Sequence, residues 1–308
     1  MSYRIIKDKI DNGDIVLLDG GTGSEIERRG IEMNDLAWCA IAHTEYPEVV
    51  RQVHESYIDS GADVIIANTF ATAPHVLKRL GLEHQIADIN QTAVRLALEA
   101  RENAGMDICV AASMSSMPAF DEFSVPINDE VRAGFIRQAE LLVDAGAEMI
   151  IAEMMRDVDI SDMVISAARA TGIPVWTGFS ASVDDTGSLI NYESPVRDDD
   201  TMPFRQMAQE VLSMGCDAAG VMHTSVHNTG PALAELNDLW DGPVFAYAES
   251  GQFVPPSWKF ENIISPQDYL DYARQWIKQG VQVIGGCCGI GPEHIRVLHA
   301  SRSKCLLK

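Results

Sequence analysis

The chain has 308 residues, of which 46% are hydrophobic and 22% charged, and its formal net charge is -22. No apolar run approaches the ~20 residues that a bilayer-spanning helix needs, and the acidity opposes partners such as nucleic acid, whose phosphates demand clustered Lys and Arg. The first residues, MSYRIIKDKIDNGD, carry charges and lack the apolar core of a secretory signal, so a cytoplasmic protein is expected.

Taken in order, "IVLLDG" (15–20) is the first short apolar stretch that fits a buried strand. A helical pattern over 43–60 follows, then "GADVIIANTF" from Gly61. Next come a helix over 83–103, a strand "DICVAAS" (107–113), a helix over 129–145 and "GAEMIIAEMM" from Gly146. The strand "PVWTGFS" (174–180) leads into a polar loop over 184–200. A helix over 203–214, "GCDAAGVMHT" from Gly215, the strand "PVFAYAES" (243–250), a helix over 267–279 and "GVQVIGGCCG" from Gly280 complete the series.

Four of these segments share one grammar: a glycine that ends a helix, a short apolar strand, then polar or reactive residues where the strand stops. Near-continuous apolar strands between amphipathic helices imply a parallel sheet covered by helices. Eight such units, with no linker or composition break, predict a single-domain (β/α)8 barrel over residues 1–308, with its site at the strand C-termini. A doubly wound open sheet is the alternative.

The residues at those predicted strand ends carry the chemistry. Cys287 and Cys288 are vicinal among glycines, and two thiolates with one further ligand would make a zinc site with an open fourth position; a strained disulfide or two inert thiols are the alternatives. His223 ends the sixth strand and would face the same mouth, whereas His227 reads as a loop residue. Asp19 and Glu153 each close an apolar strand, where a carboxylate is costly without a cation or donors nearby. Asn68, Thr69, Phe70, Ser113 and Tyr247 are candidate pocket residues. The glycines of "DGGTGSE" and "CGIGPEH" read as turns, with Pro292 at a helix start, since neither supplies a full phosphate-binding fingerprint.

With these residues assembled, "LLDGGTGSEIERRG", "NDLAWC", "VHESYIDSGADVIIANTF", "YAESG" and above all "IGGCCGIGPEHI" resemble the homocysteine S-methyltransferases, over roughly residues 14 to 300. The resemblance implies a barrel in which three cysteines hold zinc and the sulfur of homocysteine takes the fourth position. Two of them carry over to Cys287 and Cys288. Where the family reads G[VI]NC, this chain reads GVMH, so His223 stands at the first ligand and Met222 at the asparagine. Cys216, seven residues upstream, belongs to the far end of the strand.

Replacing one thiolate by a neutral imidazole changes the centre from a net charge of about -1 to about zero by ligand counting. Two other departures are Met154 where the family pattern has threonine after Glu153, and "ASMSSMP" (112–118), which lacks the family's Gly-Pro.

The reaction expected from the resemblance is methyl transfer from a small sulfonium or betaine-type onium donor to a thiol, most simply homocysteine, giving methionine. His223, Cys287 and Cys288 would hold Zn²⁺, Glu153 would bind the acceptor's ammonium, and Asp19 would orient the acceptor or the donor. Phe70, Phe179 and Tyr247 would face the donor's charge through cation–π contact. The rival readings are an enzyme of the same scaffold acting on another sulfur compound, and a non-catalytic metal or thiol sensor. No stretch of the sequence marks an oligomer interface.

Overall fold

The computed structural model describes residues 2–117, 125–192 and 201–302. Eight parallel strands form one sheet: β1 (Val16–Leu17), β2 (Val64–Ala67), β3 (Cys109–Ser115), β4 (Met149–Met155), β5 (Val175–Phe179), β6 (Ala218–Ser225), β7 (Val244–Glu249) and β8 (Val283–Ile284). Each pairs in parallel with the next in sequence, and β8 returns to β1 through Val16 opposite Val283. A parallel bridge from Leu18 to Val64 joins β1 to β2 and brings the ring to closure. This is the predicted (β/α)8 barrel. No helix among the described residues is long and apolar enough to cross a membrane.

The strands are almost wholly buried, as a parallel sheet flanked by helices requires. Side chains cap several helix starts: Asn128 accepts from the Val131 amide, and directly at strand ends Asp157 accepts from Ile160 and Ser225 from Asn228. The pattern predicted over 43–60 is broken in two, Ala42–Glu45 and Pro47–Asp59, because Pro47 disfavours helical backbone at Tyr46 and opens the second helix. The helix predicted over 83–103 starts as a single 3-10 turn, Glu83–Gln85, before Ile86–Ala104.

The polar segment after β5 is ordered where it is described: Ala181–Val183 pairs antiparallel with Leu189–Asn191. Asp184 Oδ1 accepts from Thr186 and Ser188 and so shapes the turn between them. Residues 193–200 of the predicted loop, and Pro118 of "ASMSSMP", lie outside the described residues.

The helix Ser2–Asp11 packs at the N-terminal end of the barrel. There Trp176 stacks on Phe245 with centroids 5.6 Å apart, and its indole donates to the Tyr3 hydroxyl at 3.4 Å. Asp63 accepts from the Leu17 amide and pairs with Lys9 and Arg302, tying the N- and C-terminal helices to this end. With that end filled, the opposite mouth is left for chemistry.

One buried group outside the mouth sets an acid limit on stability. His54 is fully buried and neither ring nitrogen has a hydrogen-bond partner; burial, with a smaller contribution from His43, lowers its pKa from 6.5 to about 4. Above pH 6.5 the residue is neutral in both the folded and unfolded chain and adds nothing to the pH dependence of stability. As pH falls from 6.5 to about 4 only the unfolded chain takes up the proton, so folding stability drops by about 3 kcal/mol and then levels. His54→Leu is expected to remove that loss, and urea unfolding of both proteins at pH 7 and pH 4.5 measures it. Equal acid sensitivity in the two would overturn the assignment.

Candidate active site

The mouth is built by two glycine-rich turns that interlock and two strands that bulge. A Cβ on Gly20 would lie 2.2 Å from the Ile290 carbonyl oxygen, and one on Gly21 would lie 2.6 Å from that of Cys287. Ser24 Oγ accepts from the Gly289 amide at 3.1 Å. The glycines of "DGGTGSE" therefore serve the close approach of the turn after β1 to the turn after β8, which fixes the Cys287–Cys288 backbone.

The register of β4 shifts between Ala152 and Met155, and that of β6 between Met222 and Ser225. Met154 and His223 take left-handed backbone angles there, φ 59° and 44°. Each costs of order 1 kcal/mol or more in a residue with a side chain. In return the bulges re-aim Glu153 and His223.

Glu153 Oε2 lies 2.9 Å from His223 Nε2, and Cys287 Sγ lies 3.2 Å from Nδ1 of the same ring and 3.9 Å from Nε2. The Phe70 ring stacks on the imidazole with centroids 5.0 Å apart. Cys288 Sγ is 3.9 Å from Cys287 Sγ, and both thiols are free. Burial opposes protonation of His223, but Cys287 and the Glu153 carboxylate beside it outweigh burial and hold the imidazole well above its usual range. Burial, with Cys288 next to it, pushes the Cys287 thiol well up, so a thiolate at this position calls for a cation.

The ligating atoms of His223, Glu249 and Cys287 lie within 4.8 Å of one another. Glu249 ends β7, and burial raises its carboxyl pKa while His223 partly offsets the rise. The sequence reading passed over it, although it closes an apolar strand just as Asp19 and Glu153 do. Imidazole, thiol and carboxylate converging at a barrel mouth, with a second thiol alongside, make a donor set that zinc accepts.

The other expected site residues divide. Asn68, Phe70, Ser113 and Tyr247 line one pocket with Glu153, His223, Cys287 and Cys288. Thr69 does not line it: its hydroxyl donates to the Ser113 carbonyl and accepts from the Ser113 amide, which ties β2 to β3. Asp19 sits behind the pocket wall, where Oδ2 accepts from the Ile66 amide at 2.7 Å and Oδ1 lies 3.1 Å from the Tyr247 hydroxyl.

That hydroxyl is also 2.7 Å from the Gly20 carbonyl oxygen, and one phenolic proton cannot serve both. Burial raises the Asp19 carboxyl well above the carboxylate range. The phenol thus bridges the Asp19 carboxyl and the turn after β1. Asp19 thereby supports two residues that line the pocket, Ile66 and Tyr247.

Among the aromatics, Phe179 packs edge-on against Phe204 in the core, 6.2 Å between centroids, and does not face the site. A second pocket, opening beside His223, Glu249 and Cys288, is instead walled by Trp38, Phe70, Tyr192, Phe253 and Trp258. His227 lies in the first turn of the helix Val226–Asn237 and binds the Tyr272 hydroxyl at 2.7 Å. Cys216 precedes β6, at the opposite end from His223.

A closed ring of parallel strands with thiols, imidazole and carboxylates converging at its C-terminal mouth defines a (β/α)8 enzyme. The chain belongs to the homocysteine S-methyltransferase family, whose model matches residues 16–301, and it is a methyltransferase. It is 30% identical to the homocysteine S-methyltransferase of Escherichia coli strain K12, over 94% of this chain and 96% of that protein. It is 26% identical to betaine–homocysteine S-methyltransferase 1 of Danio rerio, over 96% and 75%. The metallated crystal form of the Escherichia coli homocysteine methyltransferase MmuM superposes with a TM-score of 0.74 at 25% identity, covering 97% of this chain and 99% of that one.

Proposed function

We propose that the protein is a zinc-dependent S-methyltransferase that moves a methyl group from a small sulfonium or betaine-type donor to homocysteine, giving methionine. The observation that carries this reading is the approach of Cys287 Sγ to 3.2 Å from His223 Nδ1, which joins the double-cysteine turn to the β6 end across the mouth. His223, Cys287 and Cys288 are the zinc ligands. Zinc, when bound, lowers the pKa of the acceptor thiol so that a thiolate is present at neutral pH.

The chain's own residues supply position and charge. Glu153 faces the pocket and offers its second carboxylate oxygen to the acceptor's ammonium. The aromatic walls from Trp38, Phe70, Tyr192, Phe253 and Trp258 suit an onium cation, and Glu249 provides the opposing charge. In the reaction the acceptor sulfur's electron pair forms the new bond to the methyl carbon. The bond from methyl to the onium atom breaks, its electrons leaving with the neutral sulfide or amine. The acceptor's thiol proton passes to solvent. Attack requires sulfur, carbon and leaving group in line, so holding both substrates in one buried mouth contributes much of the rate.

Incubation of zinc-loaded protein with homocysteine and a panel of sulfonium and betaine donors, read by mass spectrometry for methionine, tests the reading. Formation of methionine with one donor class is the expected result, and none with any donor would sink it. Glu249→Gln is expected to keep its zinc and to raise KM for the donor about tenfold, the equivalent of ~1.4 kcal/mol of lost charge pairing. Cys288→Ser is expected to lose the metal. The reverse pattern, zinc lost with Glu249 and kept without Cys288, would make the carboxylate the third ligand.

A further inference from the structure

The His223–Glu153 contact has no counterpart in a three-cysteine site, because a thiolate has no second donor atom to be held. An imidazole does, and which nitrogen faces a metal depends on what the other one binds. We propose that Glu153 is a positioning residue for His223: it accepts the Nε2–H, fixes that tautomer, and leaves Nδ1 as the nitrogen that binds the metal beside Cys287. This rests on the zinc reading above and adds to it the ligand atom and the group that sets it.

Four observations support the assignment. Nδ1 is the ring nitrogen nearer the thiol, 3.2 Å against 3.9 Å for Nε2, whereas Nε2 is the one 2.9 Å from Glu153 Oε2. Both side chains are nearly enclosed, 11% and 6% exposed, so water does not compete freely for the contact. The ring is also held from its face by Phe70, which leaves it little freedom to flip. Both partners stand on bulges with left-handed residues, Met154 next to Glu153 and His223 itself, so two strand ends are bent at the places that bring the carboxylate and imidazole together.

The contact also bears on Met154, which follows Glu153 where the family pattern has threonine. One Glu153 oxygen is engaged by the imidazole and one is left for the acceptor. The carboxylate therefore joins the metal ligand to the acceptor's amino group, and a change at Glu153 disturbs both.

The test uses full-length protein with ¹⁵N-labelled histidine loaded with ¹¹³Cd, together with zinc affinity by chelator competition, for wild type, Glu153→Gln and Glu153→Ala. Expected are ¹¹³Cd coupling to Nδ1 of His223 in wild type and a loss of zinc affinity of about 10- to 100-fold in Glu153→Ala. Glu153→Gln is expected to give a smaller loss, because its amide oxygen still accepts from Nε2–H without the charge. The near-isosteric glutamine also guards against a folding defect. Coupling to Nε2, or unchanged zinc affinity in both variants alongside a raised KM for homocysteine, would overturn the proposal and leave Glu153 as an ammonium-binding group only. A wild-type protein that binds neither metal would instead bring down the zinc reading and this inference together.

Discussion

Cys287→Ala and His223→Ala are each expected to reduce bound zinc from near one per chain to less than about a tenth, and to lower methyl transfer by on the order of 10³-fold or more. On the proposed ligand set, each change removes one of three ligands from a site that must keep a fourth position for substrate, so the remaining two would not hold the ion against solvent. Without it the acceptor thiol keeps its ordinary pKa, near 8.5, and only a few per cent is thiolate at neutral pH. The aligned geometry is lost as well, which multiplies the penalty.

Cys216→Ala is the internal control. Its thiol precedes β6, at the other end of the strand from His223, and zinc and activity are expected to stay at wild-type levels. Elemental analysis of protein purified without added metal, with activity measured on the same samples, decides the matter. Zinc retained after loss of either His223 or Cys287 would dismiss that residue as a ligand. Metal-free wild type that resists loading under reducing conditions would reduce the family membership to a statement about fold and ancestry.

Much of this site was legible in the sequence because a barrel repeats itself. Each glycine, apolar strand and polar end in turn announces one position on the mouth, so Cys287, Cys288, His223 and Glu153 could be placed together before any coordinates. What could not be read was how far each side chain turns. Glu153 and His223 are separated by 70 positions and meet through two bulges. Neither bulge has a glycine to mark it, since the left-handed residues are Met154 and His223 themselves.

Asp19 shows how far local partners alone can account for such a residue. A buried carboxylate at a strand end is special, but here what makes it so is the Ile66 amide and the Tyr247 hydroxyl, and no substrate is needed to explain it. Trp38, Tyr192 and Trp258 come from connections that carry no periodic signal, so the aromatic pocket was attributed in part to Phe179, whose position on β5 places it in the core.

The turn that presents the two thiols is held by backbone, and Gly289→Ala is expected to break it, destabilising the protein by at least about 3 kcal/mol. Gly289 has φ 81°, and a Cβ there would lie 1.9 Å from the Ser250 carbonyl oxygen and 2.8 Å from Ile263 Cδ1. The backbone oxygen cannot swing aside as a side chain would, because its strand end is tied to the same turn. Ser250 donates to the Cys288 carbonyl at 2.9 Å, and Cys287 donates to that of Ala248 at 2.8 Å. Relief of the clash must therefore displace Cys287 and Cys288 from their present positions.

Gly280→Ala separates the two causes of damage. Gly280 also has a left-handed backbone, φ 101°, but a Cβ there would meet nothing within 4 Å. It should cost only the conformational strain, about 1 to 2 kcal/mol, and leave zinc affinity unchanged. Urea unfolding and chelator competition on both variants give the comparison. If Gly289→Ala behaved like Gly280→Ala, the turn after β8 would have to move independently of β7, and the thiols would not owe their position to the backbone bonds between them.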